Sequence, residues 1–223
     1  MKLAIFNGSP RGKNSNSALL TSHFLEGYDT NSGKEISIHY LAINGDKEQR
    51  IQSFLDSNII LFVFPLYTDC MPGMVKEFIE IIGSLEWNDT KRFGFIVQSG
   101  FPESVHSTYV ERYLEKLCRR MDCTYLGTVI KGGVEGIQIM PASMTRNLFK
   151  QFRQLGEYFS IQGTFDTTII EQLQKPKKMS KSRLWIFKQM QKTGLTNFYW
   201  NSQLKKNNAY KIRFDQPFVE PSV

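Results

Sequence analysis

Between Asn58 and Phe64 the chain reads NIILFVF, an almost unbroken β-branched and aromatic run with no polar face. A strand of that composition has to be covered on both sides, as a central strand of a parallel sheet is. The flanking sequence alternates to match. Apolar strand patterns run over Leu3 to Phe6, Glu35 to Leu41 (Ile36, Ile38, Tyr40), Arg92 to Gln98 and Thr124 to Ile130. Between them lie segments with helical spacing. The first carries Ala18, Leu19, Leu20 and Phe24. Asp46 to Ser57 turns Ile51, Phe54 and Leu55 inward, and a helix started by Pro72 carries Met74, Val75, Phe78, Ile79 and Ile82 before Gly83 ends it. Val105 to Met121 and Ala142 to Phe159 complete the set. Five strands alternating with helices predict a parallel sheet with right-handed crossovers and helices on both faces. Ligands in such sheets bind beyond the carboxyl ends of the strands, at the topological switch point.

The loop after the first strand has the chemistry for that position. NGSPRGKNSNS, residues 7–17, carries Gly8 for a tight turn, Pro10 to stiffen it, and Ser9, Arg11, Ser15, Asn16 and Ser17 as donors to a phosphate at the start of a helix. Spacing excludes two owners. A nucleoside-triphosphate loop needs G-x-x-x-x-G-K-[ST], but Gly8 and Gly12 enclose three residues and Asn14 follows Lys13. The dinucleotide fingerprint G-x-G-x-x-G is not met either. The competing reading is ordinary turn chemistry, since Asn, Ser and Gly are common turn formers.

Two further loops belong to the same edge. After the third strand, PLYTDCMPG offers a backbone along Pro65, Leu66, Tyr67, Thr68, Asp69 and Met71 against which a flat ring can lie. After the fourth, QSGFPES offers Ser99, Gly100 for close approach, Phe101 as an aromatic wall and Glu103 as a cap for the next helix. Singly, each loop also fits a plain strand-to-helix turn; beside the phosphate loop they read as one pocket. Gly132, Gly133 and Gly136, after the fifth strand, leave room for a nicotinamide or a partner subunit.

Composition restricts the rest. The 223 residues, 41% hydrophobic, can bury one substantial core. No stretch approaches a membrane span, and no apolar leader follows Met1-Lys2, so a cytoplasmic protein is expected. Three cysteines make no disulfide framework; Cys118 and Cys123 lack the neighbours of a metal shell, and Cys70 is expected to be a small buried hydrophobe. No metal site is expected.

With these motifs in hand, NGSPRGKNSNSALL, PLYTDCMPGMVKEF and QSGFPES together resemble those of the flavodoxin-like NAD(P)H-dependent FMN reductases and the related NAD(P)H:quinone oxidoreductases, over approximately residues 1–165. The resemblance implies a flavodoxin-like three-layer α/β sandwich with strand order 2-1-3-4-5. It also implies FMN, its phosphate on Ser9, Arg11, Ser15, Asn16 and Ser17 and its ring beside Pro65 to Met71 and Ser99 to Phe101. NADH or NADPH is then the co-substrate, a quinone, free flavin or other small molecule the acceptor, and a homodimer the assembly. No iron–sulfur cluster is carried over, because no cysteine precedes Cys70. Flavin chemistry needs no side-chain base. His106 is the nearest candidate for proton delivery, against the plainer reading of a helix-surface histidine without a role.

The resemblance ends near residue 165, leaving residues 166–223 as an extension that becomes strongly basic from residue 175. Residues 1–174 hold 17 Lys and Arg against 19 Asp and Glu, whereas residues 175–213 hold 11 basic residues and no acidic one. A helix is expected over Ser182 to Thr193, with Leu184, Phe187 and Met190 apolar and Gly194 at its end, followed by Phe198, Tyr199, Trp200 and Lys205-Lys206. Such a segment can bind an anionic partner, nucleic acid or membrane surface, or its aromatics can dock on the core or a second subunit while the lysines stay in water. Two rival functions remain open: an electron-carrier flavoprotein, and an adaptor acting through this tail.

Overall fold

The structure, a computed structural model, describes residues 2–28, 34–43, 45, 47–87, 91–194 and 197–216. They divide into two compact units, Met1–Lys178 and Met179–Val223. In the first, β1 (Lys2–Asn7), β2 (Glu35–Tyr40), β3 (Ile59–Pro65), β4 (Arg92–Gln98) and β5 (Thr124–Lys131) form one parallel sheet in the order β2-β1-β3-β4-β5. The expected fold class and strand order are those observed.

The period of two along each strand divides the interior into two cores. Ala4, Phe6, Ile60, Phe62, Phe64, Phe93 and Phe95 face one side, with Phe54 from α2 (Lys47–Asp56), Val75, Phe78 and Ile82 from α3 (Gly73–Gly83) and Leu114 from α4 (Thr108–Arg120). Leu3, Ile5, Ile59, Leu61, Val63, Ile96 and Val129 face the other, beneath α1 (Asn16–Tyr28) and α5 (Ala142–Gln162). Every residue of β3 is buried, as its composition requires.

Three details depart from the sequence reading. Leu55 is exposed, because the turn of α2 that buries Phe54 carries its neighbour outward; Asp46, the expected helix start, lies outside the described residues. The helix expected from Val105 begins as a 3₁₀ turn over Ser104–Ser107, whose first N–H groups donate to Pro176 and Lys177 carbonyls instead of entering the α-helical ladder. Finally, the first unit continues past residue 165. Phe165 is buried, and α6 (Thr167–Leu173), capped by Asp166, buries Leu173 and covers β5. Those apolar residues draw the chain into the core up to Lys178, so the separate unit is shorter than residues 166–223.

A lysine and two glycines, none of them prominent in the sequence, set how the helices sit. Buried Lys91 sends Nζ to the carbonyls of Leu55 and Ser57, both at 2.9 Å, closing the C-terminal end of α2 with a cation. The α1–α5 crossing is backbone against backbone. A Cβ on Gly27 would stand 1.9 Å from the Arg153 carbonyl oxygen, and one on Gly156 would stand 1.8 Å from that of Phe24. The Gly156→Ala change gains up to about 1 kcal/mol in helix propensity. It also forces two main chains apart, which costs roughly 2–4 kcal/mol. The clash dominates, so denaturant titration should show a lower unfolding midpoint; an unchanged or raised midpoint would refute this crossing.

Candidate functional site

The end of β1 delivers the phosphate-seeking loop to the carboxyl edge under tight backbone control. Gly8 N–H donates to the Val63 carbonyl, and a Cβ on Gly8 would lie 2.0 Å from Val75 Cγ2, so the loop presses directly on the first turn of α3. Asn7 Oδ1 accepts from Ser9 N–H at 2.9 Å, while its buried Nδ2 has no hydrogen-bond partner among the described residues. Ser9 is buried and its Oγ accepts weakly from Arg11 N–H, at 3.4 Å.

Ser15 is the cap of α1. Its Oγ donates to the Gly12 carbonyl at 2.7 Å and accepts from Ala18 N–H at 3.0 Å, which occupies the hydroxyl in the helix terminus itself. Asn16 Nδ2 reaches across to the Val134 carbonyl at 2.8 Å, and Ser17 Oγ accepts from Gln98 Nε2 at 3.3 Å. The side chains of Ser15, Asn16 and Ser17 are thus tied to protein. Among the described residues, the backbone N–H groups of Asn16 and Ser17 find no acceptor. Two unpaired donors at the positive end of a helix are groups that an anion can use. Arg11 stands beside it, exposed, with Nη2 3.8 Å from Glu135 Oε1.

The other predicted loops leave the same edge. Leu66 N–H donates to the Gln98 carbonyl, and Ser99 N–H to the Lys131 carbonyl, so the exits of β3, β4 and β5 are stitched in sequence. Pro65 and Leu66 are buried; Tyr67, Thr68 and Asp69 project as a two-residue hairpin turn in which Tyr67 and Cys70 exchange both backbone bonds, at 2.9 and 3.0 Å. Thr68 (φ 49°) and Asp69 (φ 58°) are both left-handed, a type I′ geometry that Asn and Gly prefer. Cys70 is exposed, against expectation, because the turn carries it out of the sheet. Met71 is buried and lines a groove of about 340 Å³ between α3 and α4, with Ile79, Tyr113 and Leu117.

In the third loop Ser99 is buried and donates from Oγ to the Phe101 carbonyl at 3.2 Å; Gly100 and Phe101 are exposed. The His106 ring lies 4.8 Å from the Phe101 ring, and its Nε2 is 3.6 Å from Glu103 Oε2. Glu103 makes no side-chain cap, contrary to expectation; its carboxylate turns toward His106.

Several participants escaped sequence reading. Gln98 and Val134 hold α1 by contacts remote in sequence, Gln138 Nε2 donates to the Asn14 carbonyl at 3.0 Å, and Glu135 faces Arg11. Gly132 leaves no empty space: a Cβ there would meet the Phe101 carbonyl oxygen at 2.5 Å, so that glycine serves packing between two loops. Lys131 directs Nζ toward the Leu173 carbonyl at 3.5 Å, and burial lowers its pKa from the usual lysine value.

Together these features define an α/β protein with unpaired helix N–H donors after β1 and two flanking loops at one sheet edge. A sequence profile of the flavodoxin-like fold matches residues 1–157, and the chain belongs to that family. Comparison with curated protein sequences gave no match. Among solved structures, the fold is similar to an FMN-dependent NADH-azoreductase from Bacillus anthracis in complex with FMN (TM-score 0.55, 18% identity, 72% of this chain and 100% of that one). An NADPH-quinone reductase from P. pentosaceus (0.54, 16%, 69% and 96%) and an NAD(P)H:quinone oxidoreductase from Methanothermobacter marburgensis (0.54, 12%, 71% and 96%) are similar at the same level.

The left-handed turn generates a stability prediction. A β-branched residue at positive φ stores about 1 kcal/mol or more of strain. Thr68→Asn should therefore raise the denaturation midpoint of the cofactor-free protein by about 1 kcal/mol equivalent; a loss of stability would show that the turn has another geometry.

Proposed function

We propose that the three carboxyl-edge loops hold FMN and that the chain is an NAD(P)H-dependent FMN oxidoreductase, delivering electrons to a quinone, a free flavin or another small acceptor. The observation that carries this reading is the pair of unpaired N–H groups, Asn16 and Ser17, at the positive end of a capped helix. The residues fit the group in three respects. A terminal phosphate suits a seat made of backbone donors, with Ser9 and Arg11 on its rim. Buried Asn7 Nδ2, lacking a partner at the same loop, is a further donor awaiting an acceptor. The exposed Tyr67 to Asp69 turn and the Phe101 ring offer the two flanks that a planar ring system needs.

When bound, FMN supplies the hydride-accepting and electron-donating chemistry. The chain's task is then to bind and orient. Asn16 and Ser17 N–H groups anchor the phosphate end, and Arg11 adds charge while exchanging Glu135 for the phosphate. Ser99 and the backbone near Gly100 fix one side of the ring, and Leu66 to Met71 the other. Glu103 and Phe101 engage His106, so the imidazole acts here as a brace for the aromatic wall and is assigned no proton transfer. The structural relatives described above as azoreductase and quinone reductases support this class of reaction without selecting the acceptor.

The purified protein, reconstituted with FMN, should show a flavin absorption spectrum that bleaches anaerobically on adding NADH or NADPH alone. Failure to take up FMN would sink the reading, and uptake without bleaching would make the chain an electron carrier that needs a separate reductase. Arg11→Ala should weaken FMN about three- to tenfold, the range for a partly exposed charge-assisted contact, and leave riboflavin affinity unchanged. Equal losses for both ligands in a fluorescence titration would remove Arg11 from the phosphate.

A further inference from the structure

We propose that the second unit, through its described residues 179–216, is a docking surface for an anionic lipid bilayer. It contains α7 (Lys181–Lys192), capped by Ser180 Oγ accepting from Arg183 N–H, and α8 (Phe198–Lys206), with Gly194 left-handed between them. The observed α7 is shifted by one residue from the expected helix; the side chains of Phe187, Phe198 and Tyr199 lie outside the described part. Among the described residues from 179 to 216, none is buried. Helices this short are marginal in water unless they pack an apolar face against something.

What the unit presents identifies that something. Trp185, Ile186, Trp200, Ile212 and Phe214 are each more than half exposed. The same stretch carries eight Lys and Arg and one acidic residue, Asp215. On α7, Lys181, Trp185, Lys188 and Lys192 follow one another at spacings of four, three and four, which places them along one face. The Arg213 guanidinium stacks between Tyr210 and Phe214, 4.1 and 4.6 Å from the ring centroids, so cation and aromatic surface are presented together.

An anionic interface suits both kinds of group: indole and aliphatic side chains enter the headgroup boundary while ammonium and guanidinium groups remain at the phosphates. A nucleic acid would accept the cations and stack on the tryptophans, but would leave Ile186 and Ile212 in water. Among the described residues no helix is long and apolar enough to cross a membrane, so this unit lies on the surface.

The test uses the full chain in vesicle flotation, with phosphatidylcholine vesicles and with vesicles in which phosphatidylglycerol replaces part of the phosphatidylcholine. Only the anionic vesicles should retain the protein, with a blue-shifted tryptophan emission and with affinity falling as salt rises. The triple variant Lys181→Gln, Lys188→Gln, Lys192→Gln should bind on the order of a hundredfold more weakly, at roughly fivefold per charge. Trp185→Ser with Trp200→Ser should weaken retention as well and abolish the emission shift. All five positions are outside the core and the carboxyl-edge loops, so an unchanged thermal unfolding transition serves as the control. Equal retention by neutral vesicles, no retention by either kind, or retention indifferent to both variants would each overturn the proposal. Salt-sensitive binding of a single-stranded oligonucleotide by a protein that anionic vesicles do not retain would overturn it in favour of a nucleic-acid partner.

Discussion

The carboxyl edge depends on where α1 begins, and that point is set from the far end of the helix. Gly27 and Gly156 let α1 and α5 meet main chain to main chain, with hypothetical Cβ atoms less than 2 Å from opposing carbonyl oxygens. At such a separation the two axes have almost no freedom to slide, because any larger side chain converts attraction into overlap. Phe24, Phe152, Leu155 and Phe159 fill the remaining interface and share a core with β1 and β3. The helix is therefore clamped along its length, and its first turn meets the end of β1 in a fixed position. Ser15 then spends its hydroxyl on the cap, and the backbone N–H groups of Asn16 and Ser17 find no acceptor among the described residues.

Around that fixed point the loops restrain one another. Asn16 is bonded to Val134, Ser17 to Gln98, and Asn14 to Gln138, so the strand-one loop is held by the last residue of β4 and by residues following β5. Leu66 and Ser99 continue the stitching from β3 to β5. Such cross-ties form a preorganised edge: a ligand meeting it does not have to order the backbone first. The Tyr67–Cys70 turn shows how far this goes. Thr68 adopts a conformation unfavourable for a β-branched residue, and the paired backbone bonds on either side hold it there. Strain of this kind persists only where the surrounding structure over-determines the turn.

The layout was legible because it follows from local pattern. NIILFVF could only be a covered strand, Arg92 to Gln98 carried its own boundaries, and the run from Asn7 to Ser17 displayed its donors in order. What could not be read depended on partners distant in the chain. Asn16 and Ser17 were identifiable as polar, but only tertiary contacts show that their side chains brace the loop while their N–H groups find no acceptor among the described residues. Gly27 and Gly156 look like helix defects until the two helices are brought together. Lys91 looks like a surface charge until the α2 carbonyls close over it. Cys70 and Leu55 were misplaced for a simpler reason: one residue of turn or helix rotation separates inside from outside, and periodicity fixes such a boundary poorly.

The same dependence on segment explains how one chain can carry a flavodoxin-like fold and a strongly basic surface. Averaged over its length, the protein has a net charge of +7, yet residues 1–174 are slightly acidic. An average charge would act weakly everywhere, since screening at physiological salt extinguishes attraction beyond about 8 Å. Concentrating the cations in a short unit places several charges within one screening length of any surface that unit touches. The exposed tryptophans and isoleucines add a contribution that salt does not screen, but that acts only on contact. In the proposed docking, charge would govern approach to an anionic bilayer and apolar insertion would govern residence there. Because those cations and rings are separate residues from Asn16 and Ser17, the proposed surface binding and the proposed phosphate binding place no demand on the same side chains.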